Sequence, residues 1–163
     1  MTHASDGPWY YQQIALGFNY RMTELQAALG LSQMQRLDAF VTQRHALAKR
    51  YDTLLADLPL ITPWQHPDSY SGLHLYVVRL KLGGISTTHK EVFEGLRAQG
   101  IGVNLHYIPV HTQPYYSQMS FTAGDFPKSE QYYAEAISLP MYQDLTYSQQ
   151  DQIVSALRRE FGE

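Results

Sequence analysis

Apolar positions first fall into helical register at Met22, Leu25, Ala28 and Leu29, just after a turn-prone Gly17-Phe18-Asn19 stretch. Thr23 with Gln26 three residues later reads as a capping box, so a helix is expected to open there. Gly30 weakens it by roughly 1 kcal/mol relative to alanine. The pattern resumes through Leu31, Met34 and Leu37. Asp38 offers a cap for a second helix, whose face of Phe40, Leu47, Tyr51, Leu54, Leu55 and Leu58 runs to about Asp57, before Pro59 and Pro63. Thr62 to Gly72 is punctuated as a loop. Leu73 to Leu80 is apolar on both faces, which predicts a central strand covered on both sides, and Gly83-Gly84 makes a turn.

A second capping box, Thr88 with Glu91, opens a helix that buries Val92, Phe93 and Leu96 and stops at Gly100. Ile101, Val103, Leu105 and Tyr107 then alternate with Gly102, Asn104 and His106, the period of a strand whose other face is polar. Pro109 ends it, and His111, Pro114, Tyr115 and Tyr116 follow in a loop or short helical turn. Lys128 to Ala136 reads as a helix, Ile137 to Leu139 as a short strand broken by Pro140. A third box, Thr146 with Gln149, opens a last helix on Ile153, Val154, Leu157 and Phe161. The order helix-helix-strand-helix-strand-helix-strand-helix describes an α/β layer fold, a small sheet flanked by helices and preceded by two long ones.

Composition narrows the function classes. One hundred and sixty-three residues with 44% hydrophobic content suit a single core. A net charge of −3 without a basic stripe argues against nucleic acid as a partner. There is no cysteine, hence no disulfide framework, thiolate nucleophile or Cys-based zinc site. No apolar run is long enough to cross a bilayer and no signal peptide is visible, so a cytoplasmic protein is expected. Thirteen tyrosines read as core and interface filler. Trp64 and His66 read as loop anchors or pocket lining, and His45 as a packed or solvent-facing histidine.

Two stretches carry candidate chemistry. Asn19 and Arg21 lie beside a helix start, where backbone N–H groups favour an anion; the alternative is a turn residue and a surface ion pair. Asn104 and His106 share a strand face, with His111 just beyond a proline bend. Such groups suit the hydroxyls, carbonyls and pyrophosphate of a sugar nucleotide, and a solvated strand face is the alternative. A His106/His111 metal site lacks a third ligand. No nucleophile elbow, paired carboxylates or HExxH motif is present.

Gly17 to Glu24 and Gln26 to Gly30 resemble sugar aminotransferases of the DegT/DnrJ/StrS family, as do Val103 to His111 and Ser138 to Tyr142. Within the family, Pro8-Trp9-Tyr10-Tyr11 and Val103 to His111 are most similar to the transaminases making UDP-4-amino-4,6-dideoxy-N-acetyl-β-L-altrosamine. The resemblance implies the C-terminal small domain of a fold type I, pyridoxal 5'-phosphate (PLP) dependent transferase. It assigns residues 1–7 to a polar start, 8–58 to interdomain and dimer-contacting helices, and 59–163 to the small α/β domain. A large domain bearing the aldimine lysine would precede them; none of Lys49, Lys81, Lys90 and Lys128 lies in the family's Ser-x-x-x-x-Lys context. The chain alone is therefore expected to be inactive and to hold no covalent PLP. The positions matching Asn104, Leu105, His106 and Tyr107 lie in the family against the nucleotide sugar, with His111 beside them. In the family the asparagine matching Asn19 reaches across a homodimer to the partner's active site, and Arg21 matches the motif's arginine. The parent would move an amino group from glutamate to a keto sugar. A family dehydratase with histidine in place of the lysine, or a non-catalytic dimerisation module, are the rivals.

Overall fold

The computed structural model describes residues 15–18 and 20–162, and the chain divides into two compact units, Met1–Arg36 and Leu37–Glu163. In the first, helix α1 spans Glu24–Met34. Its capping box forms as expected: Thr23 Oγ1 accepts the Gln26 N–H at 3.3 Å, and Gln26 Oε1 accepts the Thr23 N–H at 3.0 Å. Every residue of α1 is exposed, Leu25 by 85%. The helix stops at Met34, short of Leu37, where the Gln35 N–H turns back to Leu31 O and the Arg36 N–H to Gln33 O.

The second unit holds α2 (Leu37–Leu54), β1 (Leu60–Ile61), β2 (Tyr76–Leu80), α3 (His89–Ala98), α4 (Pro114–Ser117), α5 (Pro127–Glu135), β3 (Ala136–Leu139) and α6 (Tyr147–Glu160). The strands form one antiparallel sheet in the order β1-β2-β3, with Leu60 opposite Leu80 and Tyr76 opposite Leu139. One face of β2 presents Tyr76, Val78 and Leu80 to a core completed by Leu47 and Tyr51 of α2, Val92 and Leu96 of α3, and Ile153, Val154 and Leu157 of α6. The other face is only half-covered, at Val77 and Arg79. The central position expected for this strand is therefore right, and its two-sided burial is partial.

Polar ties join the first and last helices of this unit. Arg50 reaches Asp151 at 2.7 Å, and the fully buried Gln150 donates to Leu47 O at 3.0 Å. Arg158 grips Asp57 at 2.7 Å and holds its carboxyl below the usual range. The boxes at Thr88 and Thr146 both form.

Four departures from the sequence reading have local causes. α2 ends at Leu54 rather than near Asp57, because the chain turns there and the Leu58 N–H bonds back to Leu55 O. β2 begins at Tyr76 rather than Leu73, since Leu73 sits at φ +44° with its N–H on the Ser71 hydroxyl. β1, two residues long, was not expected; it pairs with the far end of β2. The strand read over 101–107 reduces to one pair, Asn104 with Ser138. There the Val103 N–H turns to Ile101 O and Asn104 Oδ1 captures the Leu105 N–H, so backbone donors are spent locally. The Gly83-Gly84 turn is a short 3-10 segment, Leu82–Gly84.

The aromatic side chains divide between core and surface. Tyr51 and Tyr76 are core residues, whereas Tyr20, Tyr70, Tyr107 and Tyr115 are exposed. Trp64 is exposed, near-perpendicular to the His66 ring, and lines a groove with Ile61, Leu75, Val77 and Tyr132, the pocket-lining alternative rather than an anchor. His45 is packed, bonding Ser71 O and stacking on Tyr70. No helix among the described residues is long and apolar enough to cross a membrane.

Candidate functional site

The polar segment after α3 is held against β3. Gly100, at φ +78°, stops α3, and the Ile101 N–H returns to Leu96 O. Two bonds then dock the chain onto the sheet: the Asn104 N–H to Ser138 O at 3.2 Å, and the Ser138 N–H to Asn104 O at 2.8 Å. That pairing sets His106 over the same serine, Nδ1 lying 2.7 Å from Ser138 Oγ. Ser138 is buried in an otherwise apolar strand, while His106 is half-buried. The Tyr107 ring stands edge-on to His106 at 4.7 Å and is otherwise exposed. Asn104 is exposed, and with Oδ1 engaged by the Leu105 N–H its amide NH₂ remains to donate. Asn104, His106 and Ser138 thus form one bonded polar cluster, flanked by Tyr107.

Leu105 and His111 face other surroundings. Leu105 lines a groove of about 570 Å³ beside His89, Phe93, Arg97 and Tyr133. His111 is buried under Phe126, with Nε2 at 2.8 Å from Glu130 Oε1. Glu130 also accepts the Gly124 N–H on both oxygens, at 2.8 and 3.0 Å. That backbone donor, with His111 second, holds the Glu130 carboxyl below the usual range. Above them lies a cleft of about 360 Å³ walled by Val110, Tyr116, Phe121 and Phe126. Here His111 braces the turn into α5, and its Nε2 is committed to Glu130. Arg21 is exposed in the first unit, two residues before the Thr23 cap, and Asn19 lies outside the described residues.

Sequence reasoning passed over Ser138 and Glu130 as partners. A lone serine between Ile137 and Leu139 was a usable signal, since a hydroxyl in an apolar strand needs a partner; nothing local marks Glu130. Lys49, Lys81, Lys90 and Lys128 are all exposed, and Lys90 pairs with Glu94. No group of three or more metal-ligating side chains occurs among the described residues.

Comparison with known proteins bears on what this cluster serves. The Bacillus subtilis spore coat polysaccharide biosynthesis protein SpsC is 38% identical over 159 residues, covering 96% of this chain and 41% of SpsC. Among solved structures, Helicobacter pylori PseC, an aminotransferase involved in the biosynthesis of pseudoaminic acid, superposes with TM-score 0.85 at 28% identity, covering 98% of this chain and 43% of PseC. S. venezuelae DesV gives TM-score 0.85 at 30% identity, covering 96% and 41%. The chain therefore spans about two fifths of the length of these relatives. The family model for DegT/DnrJ/EryC1/StrS aminotransferases matches residues 2–158, and the chain belongs to that family.

Proposed function

We propose that this chain is the substrate-recognising C-terminal portion of a PLP-dependent nucleotide-sugar aminotransferase. The parent protein would transfer an amino group from glutamate to a keto sugar in surface-glycan or pseudaminic-acid-type biosynthesis, as a homodimer in the cytoplasm. The observation that carries this reading is the Asn104–Ser138–His106 cluster, a bonded set of donors standing where the family resemblance assigns nucleotide-sugar contact. Likeness to SpsC and PseC supports the substrate class.

Within this reading Asn104 donates its amide NH₂ to a sugar or phosphate oxygen, His106 adds a second polar contact, and Tyr107 offers a ring face. Leu105, which the resemblance also assigns to the ligand, lines the neighbouring groove beside His89 and Phe93, and His111 shapes the adjoining loop through Glu130. Asn19 is assigned to the partner's active site, and Arg21, which matches the motif's arginine, to the same loop, as an anion contact or a brace. The residues of this chain do not by themselves fit PLP. All four lysines are solvent-exposed, and none offers the enclosed amine a covalently held carbonyl cofactor requires. Those parts of the reaction belong to the remainder of the parent.

The test is steady-state kinetics on the keto sugar with His106→Ala in a protein carrying the upstream domain. Loss of a direct contact is expected to cost about 1–3 kcal/mol in kcat/KM with cofactor loading unchanged. An unaltered kcat/KM removes His106 from the site.

A further inference from the structure

The proposed reading leaves open what kind of atom His106 can bind, since a neutral imidazole is donor at one nitrogen and acceptor at the other. The surroundings of Ser138 decide this. Its backbone is pinned by two hydrogen bonds to Asn104, at 2.8 and 3.2 Å, and all four residues of β3 are buried. The hydroxyl is therefore delivered to a fixed point, 2.7 Å from His106 Nδ1. Among the described residues, His106 is the hydrogen-bond partner of that hydroxyl. If Nδ1 carried the proton, the serine would have to accept it, and its own proton would be left without a partner in a residue only 4% exposed. If the serine donates instead, both groups are satisfied. The Tyr107 ring lies against the imidazole, with centroids 4.7 Å apart and planes near perpendicular.

We propose that Ser138 is the positioning residue of the site: its hydroxyl donates to His106 Nδ1, keeps the neutral ring protonated at Nε2, and so presents His106 to the substrate as a hydrogen-bond donor. The inference rests on the reading of His106 as a substrate-contacting group. It names the chemistry of the contacted atom, an oxygen acceptor such as a carbonyl or phosphate oxygen. With Asn104 presenting its amide NH₂, the cluster then offers two donors. An acceptor-rich ligand is favoured over one whose groups must donate.

The tautomer can be observed directly in the full chain by nitrogen NMR of the imidazoles at about pH 8.5, where ordinary histidines are neutral. The expected spectrum has His106 Nδ1 as an unprotonated, pyridine-like nitrogen and Nε2 as a protonated, pyrrole-like one. Ser138→Ala should move the two resonances towards each other as both tautomers become populated, and Ser138→Thr should restore the separation. His89 and His111, held by Ala136 O and by Glu130, report whether the fold survives. A protonated Nδ1 in the unsubstituted chain overturns the proposal, as does a His106 spectrum unmoved by Ser138→Ala. Should Ser138→Ala disturb the two control histidines, the unsubstituted spectrum decides alone. In a protein with the upstream domain, Ser138→Ala is expected to lower kcat/KM on the keto sugar by on the order of 10- to 100-fold, with rescue by threonine. If the tautomer is locked by Ser138 while His106→Ala leaves turnover intact, the substrate role fails and the positioning role stands.

Discussion

Tyr51 and Tyr76 make alkaline stability a quantitative probe of the core. Both are sealed, at 0% and 1% exposure, with ring centroids 4.9 Å apart. The Tyr76 hydroxyl donates to Asp52 Oδ1 at 2.6 Å and that of Tyr51 to Pro140 O at 3.1 Å. Burial pushes both phenols far above the ordinary tyrosine range; the Asp52 carboxylate pushes Tyr76 further, while Gln150 pulls Tyr51 partly back. Above about pH 10 the unfolded chain releases these two protons and the native chain keeps them. The unfolded state then binds fewer protons, so stability falls as pH rises, by about 1.4 kcal/mol per pH unit for each phenol and about 2.7 for the pair.

Tyr76→Phe should halve that slope. Near neutrality it should cost about 1.5 kcal/mol, the low end for a bond to a charged group, because Asp52 is exposed and is rehydrated once the hydroxyl is gone. The variant and the parent should therefore reach equal stability at about pH 11, roughly one unit above the onset. Urea midpoints across the alkaline range, read beside tyrosinate absorbance, measure both quantities. Parallel curves for the two proteins, or a Tyr76 phenol that ionises near pH 10 before unfolding, would refute the reasoning.

Three further outcomes are expected. Thr88→Ala and Thr146→Ala each remove a capping box and should lower urea stability by about 1 kcal/mol. Glu130→Gln should flatten the acid limb: the depressed Glu130 carboxyl contributes stability above about pH 4.3 that is lost as pH falls, so the parent should lose more stability than the variant between about pH 5 and pH 3. Leu96→Ala, at 0% exposure, should cost about 2–5 kcal/mol, whereas Leu25→Ala in the exposed α1 should change the melting of this chain by no more than about 0.5 kcal/mol.

What could be read from the sequence was what is decided within a few residues. All three Thr-x-x-Gln/Glu boxes form, because donor and acceptor lie within one helical turn. The helices of the second unit and the short strand before Pro140 follow from the same local rules. The 101–107 segment misled because alternation records which side chains are apolar, while strand formation depends on partners for the backbone. Asn104 found one partner in Ser138 and spent its own side chain on the next residue. β1 is too short to carry a period. In the site, Asn104 and His106 were legible as polar types in an apolar setting. Their organiser was not, since His106 and Ser138 lie 32 residues apart. The His111–Glu130 pair spans 19 and carries no shared motif.

The ties between α2 and α6 bear on how this protein is made. Arg50 to Asp151 and Gln150 to Leu47 each close a loop of about a hundred residues. Ile153, Val154 and Leu157 reach the core only from the final helix. During synthesis, the apolar face of α2 at Leu47 and Tyr51 therefore leaves the ribosome well before its cover exists. The sheet can pair earlier, but the core cannot close until α6 is free of the exit tunnel. A chain that lacks α6 leaves this unit with an open core for chaperones and proteases to find.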